Sequence, residues 1–180
     1  LLEQIEVDHM GGTGFYIAHS DDVTYLNCDS HHNADPYSTT SPPYGGADGF
    51  AGGGGETSTR TVYNGCRAWW NSDDGFDFFA TDGVRTLINC WSFWNGYIGG
   101  TFNEAGNGEG YKLGPTATNQ STVITKFLNN CIAFKNRAHG FSQNVGQSRY
   151  QVYNCTSYNN EIHGYWWGSY AGITQDFKNN

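Results

Sequence analysis

The densest group of chemically capable residues in the sequence is the acidic stretch Asn71-Ser72-Asp73-Asp74-Gly75-Phe76-Asp77, which places three carboxylates within five residues. Clustered carboxylates can bind a hard cation through their oxygens, or they can transfer protons. A solvated turn can have the same composition. The interpretation therefore depends on which residues the fold brings beside this stretch.

The composition is typical of strands and turns. The 180 residues include 25 glycines, 16% are aromatic and only 14% are charged, and no helix-length run has an apolar period of about 3.6 residues. This length suffices for one domain with a core. The formal net charge of -8 argues against a nucleic-acid or anionic-membrane partner. No apolar run approaches the length that spans a membrane.

The five cysteines mark an internal repeat. Each is followed by a small residue two positions later and by Asn five positions later. The cysteines are Cys28, Cys66, Cys90, Cys131 and Cys155, and the asparagines are Asn33, Asn71, Asn95, Asn136 and Asn160. A second column pairs Gly with an aromatic residue, at Gly14-Phe15, Gly49-Phe50, Gly75-Phe76, Gly110-Tyr111, Gly140-Phe141 and Gly164-Tyr165. A short repeat without helical periodicity predicts a parallel β-solenoid with one coil per repeat.

The repeat columns predict how the coils stack, because equivalent residues of neighbouring coils lie about 4.7–4.9 Å apart in such a fold. We expect the cysteines to be buried as small hydrophobic side chains, the aromatic rings to stack, and the asparagines to hydrogen-bond to one another. The two longest inserts, His31 to Ala47 and Tyr97 to Glu109, are expected to form loops outside the coils.

The predicted fold class is all-β, with residues 1–180 forming a single parallel β-helix domain of about six to seven coils. The last residues, Phe177-Lys178-Asn179-Asn180, resemble Phe127-Leu128-Asn129-Asn130, which precede Cys131. The sequence thus stops where another coil should begin, whereas solenoids need capped ends. We therefore expect an uncapped fragment of a longer β-helix, truncated at both ends.

Aligning the coils places acidic residues of different repeats beside one another. Asp48 and Asp74 fall in one column directly before Gly, with Glu109 on the next coil. If the aromatic ring points inward, strand alternation turns the following residue outward, so Asp77 and Lys112 should lie side by side. The alignment predicts one acidic cluster on adjacent coils with Lys112 at its edge, and its carboxylates are those of Asp48, Asp73, Asp74 and Asp77.

Repulsion within this cluster requires a compensating positive charge. Hard oxygen ligands without His or Cys suit Ca²⁺. A Ca²⁺ that only joins turns would have the same ligands, but a lysine beside the cation favours catalysis, because a neighbouring positive charge disfavours the ammonium form and favours a base. The alternative is an ordinary surface ion pair between Lys112 and Asp77.

The stretches Ala47-Asp48-Gly49-Phe50, Asn71 to Asp77 and Gly110-Tyr111-Lys112-Leu113-Gly114 occur in this order, together with Trp69-Trp70. In combination they resemble the calcium-dependent pectate lyases of polysaccharide lyase family nine, over most of the chain. The resemblance implies a right-handed parallel β-helix and Lys112 as the catalytic base. It also implies an essential Ca²⁺ ion, held by Asp48, Asp73, Asp74 and Asp77. Members of that family carry further coils on both sides.

The reaction implied by the resemblance is β-elimination in polygalacturonate. A bound Ca²⁺ would reverse the local charge, bridge the protein to a uronate carboxylate and acidify the adjacent C5 proton. Neutral Lys112 would remove that proton, and the C4 oxygen would leave to give a 4,5-unsaturated uronide. Because free lysine titrates at about 10.4, activity is expected to rise toward alkaline pH.

Three further residues are candidate substrate ligands. Lys135 and Arg137 lie in the coil after Lys112 and could bind the carboxylates of the substrate. His139 occupies the column of Asp74 on a later coil, where it could line a groove for sugar or serve only as a turn residue.

Three classes of function remain open at this point. The first is a Ca²⁺-dependent lyase whose partner is an acidic polysaccharide such as polygalacturonate, and for it we expect a secreted monomer. The second is a β-helical glycoside hydrolase of the polygalacturonase kind, with aspartates as acid and base. The third is a non-catalytic glycan-binding or adhesin solenoid with structural calcium.

Overall fold

The strands in the described part of the chain form three parallel sheets. The computed structural model describes residues 1–52, 60–79, 81, 83–114, 120–144, 147–168 and 174–180, without the side chains of 120–124 and 147–148. Within these ranges no helix is long and apolar enough to cross a membrane.

Each sheet takes its strands in chain order, one strand from every coil. The first sheet contains β1 (Leu2–Glu3), β4 (Val23–Leu26), β7 (Arg60–Asn64), β10 (Val84–Ile88), β13 (Gln120–Asn129), β16 (Gln147–Tyr153) and β19 (Asp176–Lys178). The second contains β2 (Glu6–Asp8), β5 (Asp29–His31), β8 (Arg67–Trp69), β11 (Trp91–Phe93), β14 (Ile132–Phe134) and β17 (Thr156–Tyr158). The third contains β3 (Phe15–Ile17), β6 (Phe50–Gly52), β9 (Phe76–Asp77), β12 (Tyr111–Lys112), β15 (Phe141–Ser142) and β18 (Tyr165–Trp166).

This topology is a parallel β-helix. Six coils in the described residues contribute a strand to every sheet, and β19 adds a seventh strand to the first sheet. The predicted fold class and the approximate number of coils are therefore confirmed.

A stack of aromatic rings fills the interior behind the third sheet. Its ring centroids are separated by 4.7–5.0 Å from one coil to the next, along Phe15, Phe50, Phe76, Tyr111, Phe141 and Tyr165. This spacing equals the distance between paired strands, so the rings stack without any change in register. The prediction of a stacked aromatic column is confirmed.

A ladder of asparagine side chains occupies the turn from the second sheet to the third. Each Nδ2 donates to the Oδ1 of the next coil at 2.8–3.0 Å, along Asn33, Asn71, Asn95, Asn136 and Asn160. The residue before each asparagine has a left-handed backbone, with φ of 53–55° at His32, Trp70, Trp94, Lys135 and Asn159. The amide ladder satisfies polar groups at a turn that buries them, as predicted from the asparagine column.

The cysteine column lies in the core, as predicted. All five thiols are buried and none forms a disulfide. Beyond this column the second and third sheets lie close together. A Cβ atom added to Gly75, directly before β9, would lie only 2.0 Å from Ser92 Oγ of β11. The close approach explains why the Gly residues directly before strands of the third sheet face Ser or Ala of the second sheet.

Both long inserts leave the coil at the turn between the second and third sheets. The first begins after His31, which is the last residue of β5, so its predicted start was one residue too early. The two inserts meet over the short turn between β8 and β9, where Gly106 N donates to Pro43 O at 2.8 Å. Ser72 Oγ of that turn donates to Tyr44 O at 3.0 Å.

Candidate active site

Strands β9 and β12 place an acid and a base side by side on the outer face of the third sheet. Phe76 and Tyr111 point inward and are fully buried. Asp77 and Lys112 follow them and are paired across the sheet, and alternation turns both side chains away from the core. The predicted pairing of Asp77 with Lys112 is confirmed.

The column before the Gly residues is also formed as predicted. Gly49 N donates to Asp74 O at 3.0 Å, and Gly75 N donates to Glu109 O at 2.9 Å. The carboxylate of Asp48 accepts a hydrogen bond from Asp74 N at 3.1 Å. The carboxylate of Asp74 in turn accepts one from Glu109 N at 2.7 Å. Each acid is therefore held by the backbone of the next coil.

Three carboxylates and one ammonium converge where these two columns meet. Oxygens of Asp48, Asp74 and Asp77 lie within 4.8 Å of one another. Lys112 Nζ donates to Asp74 Oδ2 at 2.9 Å and to Asp77 Oδ2 at 3.1 Å. Asp48, Asp74 and Lys112 are buried, whereas Asp77 is partly exposed. The structure thus brings together Lys112 and three of the four predicted metal ligands.

Asp73 lies beside this group but turns its carboxylate toward the second insert. Its Oδ1 accepts a hydrogen bond from Asn107 N, and the side chain is buried under the joined inserts. Burial and the neighbouring Asp74 raise the pKa of Asp73 to about 8. In this arrangement Asp73 lies beside the site without joining the three mutually close carboxylates.

The electrostatics show an excess of negative charge. Burial, followed by the charges of Asp77, Asp73 and Asp74, holds the pKa of Asp48 well above its usual range. Burial also raises the pKa of Asp77, although Lys112 opposes the shift. Burial lowers the pKa of Lys112, but the surrounding carboxylates, with Asp74 foremost, outweigh it and raise that pKa. One ammonium does not balance this many carboxylates.

Two residues near the cluster were not among the predicted site residues. Thr13 Oγ1 donates to Asp48 Oδ2 at 3.2 Å. Glu109 is buried, its Oε2 has no hydrogen-bond partner among the residues that the structure describes, and burial together with Asp74 raises its pKa to about 8. Both residues directly precede Gly in their coils, so the column that identified Asp48 and Asp74 carried the signal for them as well.

Arg137 holds the second insert against the coils. Its guanidinium donates to the carbonyl oxygens of Ala105 at 3.2 Å, of Asn107 at 3.0 Å and of Gly106. Another guanidinium nitrogen lies 3.8 Å from the carboxylate of Glu104. The guanidinium N–H groups that would have to bind a substrate carboxylate thus donate to backbone oxygens of the insert. Substrate binding by Arg137 stays a prediction.

Lys135 and His139 lie on opposite sides of Arg137 in the chain and face different neighbours. Lys135 is exposed and places Nζ 5.5 Å from the ring centre of Trp94. His139 stacks between His163 and Trp166, with centroid distances of 4.9 Å to each. Burial and His163 lower the pKa of His139, whereas Asp74 raises it. Substrate binding by either residue also stays a prediction.

The donor set fits a hard divalent cation. All three converging ligands are carboxylates, and the pKa values of Asp48 and Asp77 are raised first by burial and then by the neighbouring carboxylates. Ca²⁺ accepts several carboxylate oxygens in irregular geometry. A cation at this position would compete with the Lys112 ammonium, which is bonded to the Oδ2 atoms of Asp74 and Asp77.

Comparisons with known proteins agree with this architecture. Pectate lyase L of Dickeya chrysanthemi is 36% identical over 185 residues, which cover 99% of this chain and 41% of that protein. The crystal structure of pectate lyase Pel9A matches with a TM-score of 0.80 and 34% identity, covering 97% of this chain and 43% of that one. A rhamnogalacturonan lyase structure matches with a TM-score of 0.64 and 31% identity, covering 84% and 40%.

The chain spans about two fifths of the length of the two Dickeya relatives, both named pectate lyase L. A family model described as "Pel9A-like, right handed beta helix region" matches residues 1–180. The predicted handedness and the predicted family are therefore confirmed. On this match over its full length, the chain belongs to the Pel9A-like right-handed β-helix family.

Proposed function

We propose that this chain carries the active site of a pectate lyase that cleaves an acidic polysaccharide by cation-assisted β-elimination. The observation that carries the proposal is the contact of Lys112 Nζ with two members of a cluster of three carboxylates, two of them buried. Such a cluster supplies a place for a cation and a base side by side. The pectate lyase names of the relatives support the reaction class.

Asp48, Asp74 and Asp77 would hold the cation, which we propose to be Ca²⁺, and Asp73 would contribute charge or a further ligand. When bound, the cation would withdraw charge from a substrate carboxylate and so acidify the C–H bond next to it. The backbone amides of Asp74, Glu109 and Phe79 each donate to a carboxylate of this cluster. These bonds fix the carboxylates before any ligand arrives.

Lys112 would act as the general base. Without a cation its ammonium is stabilised by the surrounding carboxylates, which keep the pKa raised. If Asp74 and Asp77 coordinated a cation, Lys112 would lose both hydrogen-bond acceptors and much of the negative field that favours its ammonium form. The amine form would then be accessible at alkaline pH, which agrees with the expected rise of activity toward alkaline pH.

The elimination itself requires one proton removal and one bond cleavage. Lys112 Nζ takes the C5 proton of a uronate residue, the C5–H electron pair forms the C4–C5 double bond, and the C4–O bond breaks. The departing oxygen takes a proton from solvent. The products are a shortened chain and an unsaturated uronide, which absorbs ultraviolet light.

The substrate we propose is polygalacturonate, which agrees with the names of the relatives. Because a polymer such as polygalacturonate is degraded outside the cell, we propose that the enzyme is secreted. Separately, we propose that it acts as a monomer. We also propose that residues 1–180 form one β-helix unit of that enzyme.

The test follows unsaturated product by ultraviolet absorbance with polygalacturonate as substrate. One arm contains Ca²⁺ and another contains a chelator, and a third arm replaces the substrate with rhamnogalacturonan. Absorbance that requires Ca²⁺ and polygalacturonate supports the proposal. New reducing ends without absorbance would support a hydrolase, and absence of both would support a binding module. Absorbance in the third arm alone would assign the substrate to the rhamnogalacturonan class.

A further inference from the structure

A second group of metal-ligand side chains lies on the second sheet. Strands β2 and β5 pair so that Asp8 stands directly beside His31, and Glu6 lies two residues earlier on the same face of β2. One ligand atom from each of Glu6, Asp8 and His31 lies within 4.8 Å of the other two. The group therefore joins the first two coils.

The imidazole of His31 is held in a fixed orientation. Its ring is 8% exposed and stacks on Trp69, with centroids 4.1 Å apart. Nε2 faces the carboxylates, 2.8 Å from Glu6 Oε1, and Nδ1 lies 2.8 Å from His32 Nδ1. In the metal-free protein an Nε2–H donates to Glu6 Oε1. A metal ion would replace that proton on Nε2 and leave Nδ1 to donate to His32.

Further imidazoles support the ligands from outside. His9 Nδ1 lies 3.4 Å from Asp8 Oδ1, and the rings of His9 and His32 stack at 5.2 Å. His31 thus has an outer hydrogen-bond partner, and Asp8 has an imidazole within ion-pair distance. Outer partners of this kind orient the ligands of protein metal sites and raise their basicity.

We propose that Glu6, Asp8 and His31 bind one first-row divalent transition-metal ion, with Zn²⁺ as the preferred ion. One imidazole with two carboxylates suits Zn²⁺ better than Ca²⁺, which prefers oxygen ligands alone. The bound ion crosslinks β2 to β5 and stabilises the junction of the first two coils. This site is separate from the carboxylate cluster of the third sheet and does not depend on the proposed lyase activity.

The test uses Co²⁺ as a spectroscopic substitute for Zn²⁺ on the full protein without a polyhistidine tag. Excess Ca²⁺ is present to occupy all-oxygen sites. We expect one equivalent of Co²⁺ to bind with visible absorption bands, to quench tryptophan fluorescence through the stacked Trp69, and to raise the melting temperature. Zn²⁺ should displace the Co²⁺ and abolish the bands.

The matched variants separate the site from general metal binding. His31→Gln should abolish the bands, and Glu6→Gln, at an exposed side chain that folding does not need, should weaken Co²⁺ binding about tenfold. His163→Gln removes an exposed imidazole elsewhere and should leave binding unchanged. Absence of bands in the parent protein, or equal Co²⁺ affinity in the parent and Glu6→Gln, would overturn the proposal.

Discussion

Two columns of the same turn differ in how strictly they repeat. The ladder column holds asparagine in five successive coils, and every amide bonds to the next. The column before Gly, a few residues further on, holds Asp48, Asp74, Glu109, His139 and His163 in the corresponding coils. The first column is the same wherever it occurs, whereas the second changes from coil to coil.

The constant column serves folding, whereas the variable column serves the proposed chemistry. A ladder stabilises each coil equally, because identical groups meet at the strand spacing. A site needs different groups at neighbouring positions, and the changing column supplies them next to the pair of Asp77 and Lys112. In a solenoid, a column that departs from repetition while its neighbours remain constant therefore indicates where to look for function.

The largest expected effect concerns Lys112. Lys112→Met should lower turnover by about 10²–10⁴-fold, because the general base is lost, as followed by product absorbance. Ca²⁺ affinity should be equal or higher, since the ammonium no longer competes for Asp74 and Asp77. Lys178→Met, at an exposed lysine of β19, is the control and should keep normal turnover. Normal turnover in Lys112→Met would remove Lys112 from the proposed mechanism.

A substitution in the ladder should act on stability instead. Asn95 donates to three oxygens and accepts from the backbone and side chain of Asn71. Asn95→Ala leaves several buried groups unpaired and should lower the free energy of unfolding by about 3 kcal/mol or more, measured by urea denaturation. Asn64→Ala, at a half-buried side chain that accepts one long hydrogen bond of 3.5 Å from Asn89, should change it by less than about 1 kcal/mol.

The comparison between the two columns would fail if Asn95→Ala lost its activity while its unfolding curve remained unchanged. In that case the repeated column would serve the chemistry directly. Activity should therefore be measured at a temperature at which the variant is fully folded.

A milder change at the site should shift its cation requirement. Asp77→Asn keeps the shape of a partly exposed side chain but removes one charge from the ligand set. We expect the Ca²⁺ concentration for half-maximal rate to rise about tenfold, because ligand charge tunes Ca²⁺ affinity. Asp22→Asn, in an exposed pair with Arg60, is the control. An unchanged Ca²⁺ requirement in Asp77→Asn would place the cation elsewhere.

The smallest effect concerns pH and the cation-free protein. Burial raises the pKa values of Asp73 and Glu109 to about 8, above their ordinary values of 3.8 and 4.5. The folded state therefore binds more protons than the unfolded state between those limits, so stability should fall as pH rises toward 8 in the presence of a chelator. With Ca²⁺ the fall should be reduced. Stability that stays constant from pH 5 to 8 in the presence of a chelator would contradict the excess of negative charge at this site.

The periodic part of the molecule was predictable from sequence because every coil has the same geometry, so aligned residues of different coils occupy equivalent positions. The cysteine, asparagine and aromatic columns and the pairing of Asp77 with Lys112 all follow from the alignment of repeats. The direction of the Asp73 carboxylate did not follow, because it depends on the backbone of Asn107 in an insert. The contacts of Arg137 depend on the same insert. The inserts are not repeated, so their conformation cannot be inferred by alignment with a neighbouring coil.

The buried cysteine column has a consequence for how such a chain can mature. All five sulfurs are thiols inside the core, and each lies within hydrogen-bond distance of a backbone carbonyl oxygen, while thiols of neighbouring coils also interact with one another without forming a disulfide. The coils are therefore assembled without any oxidation step, and a reducing host compartment should produce the same folded protein as an oxidising one. Addition of dithiothreitol should leave the melting temperature where it was.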